Sequence, residues 1–250
     1  MRNLFLDPSS IVGKSKVIIN GEYYPYLKNV LRVKKGSRLT AIISAKIYEL
    51  CVEKIEKNKI VCSIVSIDKK CDTFQIRLNV YQSLLKFKKM DLVVSKLGEI
   101  GIEAFTPVIC DRTVPRDVPG KTRLERWKRL ASEGGKSSGI LRLMKIEPPA
   151  QFLKIIENMD GKEKESAILF TPGSNYPHIL DILNVNFLKT LESVNLFFGP
   201  EGGFTEKEIE MFSRIGGNVV NMGSITFRSD TAAIIGTGII KIILEKISQK

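Results

Sequence analysis

The stretch LFFGPEGGFTEKEIEMF, Leu196 to Phe212, places Gly199, Pro200, Gly202 and Gly203 and one carboxylate, Glu201, between an apolar run and a helical pattern. The run VNLFF before it reads as a buried strand, and TEKEIEMFSRI after it as a helix with Thr205 and Glu208 spaced as a capping box. A strand, a bare loop and a helix in that order form the unit of a parallel α/β sheet, in which ligands sit at the carboxyl ends of the strands. Glycines there leave room for close approach and permit backbone angles closed to other residues.

The same rhythm extends in both directions. FQIRLNVYQ, AFTPVICD, SAILFTP and NVVNM read as further strands. KKMDLVVSKLGEIG, TRLERWKRLASEGG, FLKIIENM and SDTAAIIGTGIIKIILEKI read as helices between and after them. Gly236 and Gly238 in the last of these are expected to serve packing, through close approach of another helix. Up to residue 72 the pattern differs: KVIIN, YLKNVLRVKKGSRLTAII, YELCVEKI and KIVCSIVSI are short and β-rich, punctuated by Gly21, Gly36 and Asn58. The expectation is a small barrel-like module over residues 1–72 and a mostly parallel α/β domain over 73–250. In YLKNVLRVKKG, Leu27, Val30, Leu31 and Val33 are the expected anchors, with Lys28, Arg32, Lys34, Lys35 and Arg38 presented outward.

Two further strand ends share the character of the glycine loop: LFTPGS, residues 169–174, and MGSITFRSDTA, residues 222–232. Each alone would pass for a tight turn. Three together are better explained as walls of one pocket. Gly135-Lys136-Ser137 imitates the end of a phosphate-binding P-loop, but Leu130 stands where that motif needs glycine, and a helix precedes it. No Gly-x-Gly-x-x-Gly follows a strand, so a dinucleotide site is not expected.

Composition narrows the chemistry. The chain has 250 residues, 43% of them hydrophobic and 26% charged, as expected of a soluble globular protein. Its opening MRNLFLDPSS has no continuous apolar core, and no run approaches about 18 apolar residues, so neither signal peptide nor membrane span is expected and the expected compartment is the cytoplasm. One histidine, His178, speaks against triad hydrolases and most zinc hydrolases, and it reads as a loop or core residue. Four cysteines without a Cys-x-x-Cys pair suit buried free thiols and no metal site. Residues 1–142 carry 28 Lys and Arg against 14 Asp and Glu, net +14; residues 143–250 carry 11 against 13, net −2. A field segregated in this way suggests a polyanionic partner, nucleic acid first, reached through the forward part.

GPEGGFT, followed by the pattern of Gly223, Arg228, Asp230, Thr231 and Ala232, resembles the SPOUT class of RNA methyltransferases. More narrowly it is similar to the RsmE family, which methylates a uridine of small-subunit (16S) ribosomal RNA on its ring imide nitrogen, N3. NVLRVKKG, SKLGEIGIEAFTPVICDRTV, RWKRLASE, GPEGGFTEKEIE and FRSDTAA occur in the family's order along essentially the whole chain. The chain departs from the family at Lys136-Ser137-Ser138-Gly139-Ile140 and at Pro25-Tyr26, where relatives carry other residues.

The resemblance implies an N-terminal PUA-like β-barrel that binds RNA and a C-terminal SPOUT α/β domain with a deep trefoil knot. It also implies S-adenosyl-L-methionine as cofactor, ribosomal RNA or the small ribosomal subunit as partner, and a homodimer. The cofactor walls would be Phe170 and Thr171, Phe198 to Gly203 (Phe198, Gly199, Pro200, Glu201, Gly202, Gly203), Met222 to Ile225 (Met222, Gly223, Ser224, Ile225), Arg228 and Thr231. Glu201 has two readings, a brace for its own loop or a carboxylate beside the cofactor's positive end. Arg228 is the candidate to stabilise charge on the uracil carbonyl oxygens, and Asp230 either accepts the imide proton or caps the terminal helix. Arg2, Arg32, Lys34, Lys35 and Arg112 are the candidate RNA or substrate contacts; Arg123, Arg126 and Arg129 are open to the same reading or to that of a solvated helix face. The competing functions are a SPOUT enzyme acting on a ribose hydroxyl or a transfer RNA base, and a non-catalytic RNA-binding assembly protein.

Overall fold

A computed structural model describes residues 4–68, 76–114, 118–159, 161, 164–183 and 188–248. The chain divides into two compact units, Met1–Thr73 with Gly139–Arg142, and Phe74–Ser138 with Leu143–Lys250. The boundary expected at residue 72 lies outside the described residues, as does Arg2.

The first unit is a six-stranded sheet of β1 (Leu4–Phe5), β2 (Ile11–Val12), β3 (Lys16–Ile19), β4 (Arg38–Ile43), β5 (Lys46–Glu56) and β6 (Lys59–Asp68), in the order β1-β4-β5-β6-β3-β2. Only the β1–β4 pairing is parallel. Residues two apart share a face of a strand, so Val17 and Ile19, Leu39, Ala41 and Ile43, and Tyr48, Leu50 and Val52 form one core. The segment expected to continue the β pattern, YLKNV, is instead helical, Tyr23–Pro25 followed by a π-turn over Tyr26–Val30. Helical winding turns Leu27 into the core while Val30 and Leu31 face out, 66% and 39% exposed, so only Leu27 and the partly buried Val33 anchor it.

The second unit holds β7 (Arg77–Ser83), α1 (Phe87–Ile100), β8 (Ala104–Ile109), α2 (Lys121–Ser138), β9 (Lys145–Ile146), β10 (Ala150–Gln151), α3 (Phe152–Glu157), β11 (Glu165–Phe170), α4 (Ile179–Ile182), β12 (Ser193–Phe198), α5 (Glu206–Arg214), β13 (Asn218–Val220) and α6 (Ser229–Ser248). Every pairing is parallel, in the order β10-β8-β7-β12-β11-β13 with β9 beside β8. The glycine loop therefore leaves the sheet's interior: β12 lies between β7 and β11, and all six of its residues are buried. Its alternate side chains serve two cores. Val194, Leu196 and Phe198 join the face packed by α1, α2 and α6, while Phe197 joins Phe152, Phe204 and Phe212 on the other.

Helices α1 and α2 cross closely. A Cβ on Gly98 would come within 2.5 Å of the Ala131 carbonyl oxygen, and one on Gly134 within 2.5 Å of that of Ser95. The false P-loop is thus the end of a packed helix. Asp91 on α1 receives both Arg126 and the Trp127 indole, at 2.9 and 3.0 Å, which holds Arg126 on the protein. Gly134→Val is expected to cost about 3 kcal/mol, lowering Tm by roughly 6–12 °C in a unit of this size, measurable by calorimetry. Gly236 meets the Phe198 ring at 3.1 Å from its would-be Cβ, so its close neighbour is a strand aromatic and not the helix expected from sequence.

Candidate active site

Three parallel strands, β12, β11 and β13, end side by side, with Phe170 in register with both Phe198 and Val220. The Phe170 and Phe198 rings stack with centroids 4.6 Å apart. Beyond them opens a cleft of about 270 Å³ lined by Phe170, Thr171, Phe198, Gly199, Pro200, Glu201, Gly203 and Arg228, with Pro172, Phe204, Thr226, Phe227, Ser229 and Ala232. A smaller hollow of about 50 Å³ shares its Phe170 wall and adds Met222, Gly223 and Ile225. The structure therefore brings the three loops together. Gly202, Ser224 and Thr231 line neither cavity.

The glycine loop is shaped largely by its own packing. Gly199 accepts the Phe204 ring 3.0 Å from where a Cβ would stand, and Gly203 has φ +68°, which an L side chain rarely tolerates. The Thr205 hydroxyl accepts from the Glu208 amide, and Glu208 returns a hydrogen bond from Thr205, so the expected capping box forms. Glu208 is 2% exposed and also takes the Asp111 amide at 2.9 Å, tying the loop to the end of β8. Arg112 follows there. Its Nη1 donates to the carbonyls of Gly202 (3.0 Å) and Phe204 (3.4 Å), so this candidate RNA contact spends donors on bracing the loop.

Glu201 lines the cleft and accepts from Lys89 on α1 at 2.9 Å. Partial burial raises its pKa, but the Lys89 hydrogen bond, a bond from its own backbone amide and the charges of Lys89 and Lys86 together outweigh burial, and the net shift is downward. That pair stabilises the fold above the ordinary carboxylate pKa, and its contribution is lost as pH falls through the lowered value. Glu201→Gln is expected to cost at most about 1 kcal/mol at pH 7, the side chain being 34% exposed, with the difference vanishing in acid melts.

The third loop turns on Asn221, buried and unremarked in the sequence. Its backbone bonds Pro177 and Ile179, its Oδ1 takes the Gly223 amide at 2.8 Å, and its amide donates to the Tyr176 carbonyl. His178 caps α4 through Nδ1, accepting from the Leu180 amide at 3.3 Å, which gives the lone histidine a structural task.

Arg228 is exposed at the cleft wall, and among the described residues its guanidinium makes no hydrogen bond or ion pair. Asp230 is the second residue of α6, and its buried Oδ1 has no hydrogen-bond partner among the described residues. Between them, Ser229 donates to the Gly199 carbonyl and accepts from Gln82 of β7 at 2.9 Å. Neither Ser229 nor Gln82 stands out in the sequence; the one signal is an amide at the end of the alternating apolar positions Ile76, Leu78 and Val80. In the first unit, Arg32, Lys34 and Lys35 are exposed on the turn after the π-helical segment, with Arg32 at φ +49°.

A parallel sheet whose neighbouring ends enclose a cleft lined by backbone and aromatic rings is the frame of a ligand-binding α/β domain. Residues 72–241 match the RNA methyltransferase domain and residues 19–65 the RNA methyltransferase PUA domain, and the chain belongs to the RNA methyltransferase family that these define. It is 26% identical to ribosomal RNA small subunit methyltransferase E 2 of Borreliella burgdorferi, over 98% of each chain. It is 28% identical to ribosomal RNA small subunit methyltransferase E of Aquifex aeolicus, over 89% of this chain and 92% of that one. The crystal structure of the enzyme of that name from Neisseria gonorrhoeae, bound to S-adenosyl methionine, shares the fold with a TM-score of 0.80 at 21% identity, over 97% of this chain and 98% of that one.

Proposed function

We propose that this chain methylates N3 of a uridine in small-subunit ribosomal RNA, using S-adenosyl-L-methionine bound where β11, β12 and β13 end. The observation that carries this reading is the shared cleft itself, with a permanent cation, Arg228, in its wall. The residues suit the cofactor: a cavity of about 270 Å³, walled by backbone and stacked rings, offers amide edges and apolar faces to an adenosine, and Glu201 places a carboxylate beside it.

When bound, S-adenosylmethionine supplies an activated methyl group on a sulfonium. The chain's own residues do the rest by positioning and charge. The uridine imide must lose a proton before it is nucleophilic, and the buried Asp230 Oδ1, without a hydrogen-bond donor among the described residues, is suited to accept that proton directly or through water. Negative charge then spreads to the ring carbonyl oxygens, where the exposed Arg228 guanidinium donates hydrogen bonds. The Phe170–Phe198 stack and the apolar hollow beyond it exclude water from one side of the seat.

The first unit, read as a closed PUA barrel, grips RNA through Arg32, Lys34 and Lys35, in keeping with a net charge of +14 over residues 1–142. The placement of β12 between two strands that precede it is in keeping with a trefoil knot. Ile235 and Ile242, 37% and 68% exposed on α6, suit a homodimer interface. The deciding experiment maps methylated nucleosides by mass in small-subunit RNA from cells with and without this protein. Loss of one N3-methyluridine is expected; an unchanged pattern overturns the reading.

A further inference from the structure

Gln82 is fully buried at the end of β7. By the two-residue repeat of a strand it follows Leu78 and Val80, both in the core against α1, α2 and α6, so an amide occupies a position where an apolar side chain would be expected. Its Oε1 is buried without a hydrogen-bond partner among the described residues. An unsatisfied acceptor costs about 1–3 kcal/mol, so packing alone does not account for this residue.

Its nitrogen does. Nε2 lies 2.9 Å from the Ser83 carbonyl, 2.9 Å from Ser229 Oγ, 3.4 Å from the Gly199 carbonyl and 3.5 Å from the Phe198 carbonyl. Ser229 Oγ in turn donates to the Gly199 carbonyl. One amide thus joins the end of β7, the last turn of β12 where the glycine loop begins, and the first residue of α6. Ser229 is the residue between Arg228 and Asp230.

We propose that Gln82 is a positioning residue for methyl transfer, holding the start of α6, and with it Arg228 and Asp230, in register with the cofactor seat at Phe198 and Gly199. The proposal rests on the assignment of that seat and of those two side chains. Gln82 does not line the cleft; it acts through Ser229 and the carbonyls of Phe198 and Gly199. Displacements of about 1 Å at a reacting centre cost on the order of 100-fold in rate, so one lost brace has a kinetic effect that exceeds its effect on binding.

The test compares Q82L, which keeps the volume, Q82E, which keeps the shape but donates only when protonated, S229A and the double variant Q82L/S229A. Turnover of ribosomal RNA is measured at saturating donor, and S-adenosylhomocysteine binding to the unloaded protein is measured by calorimetry. Q82L and S229A are each expected to lose about tenfold or more in kcat, with Kd for S-adenosylhomocysteine weakened no more than about threefold. The double variant is expected to be no worse than Q82L, because the two act through one connection. Q82E is expected to regain turnover as pH falls, since burial among carbonyl oxygens favours its neutral, donating form.

Wild-type kcat in S229A, additive losses in the double variant, or a Q82E profile parallel to that of the wild type would each overturn the proposal. A Q82L that fails to fold leaves the decision to S229A and Q82E. Failure of the parent protein to bind S-adenosylhomocysteine would instead overturn the assignment of the seat.

Discussion

Arg228→Ala is expected to lower kcat by about 100- to 1,000-fold, equivalent to roughly 2.7–4 kcal/mol, with donor affinity little changed. The reason lies in how the two tasks are divided. The proposed seat is a cleft lined by backbone and rings at the strand ends, and removing one exposed side chain from its rim leaves those edges in place. Charge on the uracil oxygens, by contrast, appears only as the imide ionises, and among the described residues Arg228 is the one cation that lines the cleft; outside the lining, Lys89 is committed to Glu201 at 2.9 Å and Arg112 to two loop carbonyls. Arg228→Lys is expected to recover only part of the loss, because an ammonium keeps the charge without the planar fork. Single-turnover methylation and donor titration together check this. Intact turnover in the alanine variant would remove Arg228 from the mechanism.

Replacing Arg32, Lys34 and Lys35 together by alanine is expected to weaken RNA binding strongly while leaving donor binding and the folded state intact. All three side chains are exposed on one turn of the first unit, and their loss opens no cavity. If each neutralises one phosphate, the slope of log affinity against log salt flattens by about 2–3. The effect is therefore largest at low salt and shrinks as salt rises, which separates it from a defect in folding. Filter binding over a salt series reads it directly. A parent-like slope would place the RNA footprint elsewhere.

Much of this molecule is visible in its residues because local chemistry and tertiary role agree. VNLFF is apolar throughout because β12 is buried on both faces, and Thr205 with Glu208 form a capping box wherever that helix happens to lie. The three loops rich in glycine, proline and threonine point to one pocket since no other economical use joins three strand ends. YLKNV is misread as β because its apolar spacing suits either period over so short a run, and the core contact of Leu27 decides for the helix. The double glycine of α2 imitates the end of a P-loop, and the packing role of Gly134 shows only when α1 is laid against it.

The sequence by itself determined the alternation of strands and helices, the basic forward segment and the three loops, because each is a local pattern of side-chain type. Only the tertiary structure decided that β12 runs between β7 and β11, that Arg112 and Lys89 are spent on the loop, and that Gln82 meets Ser229 across 147 residues of chain. Hydrogen bonds of that span leave no trace in spacing. They exist because folding brings distant polar atoms into a dry interior, where each must find a partner or carry the cost of lacking one.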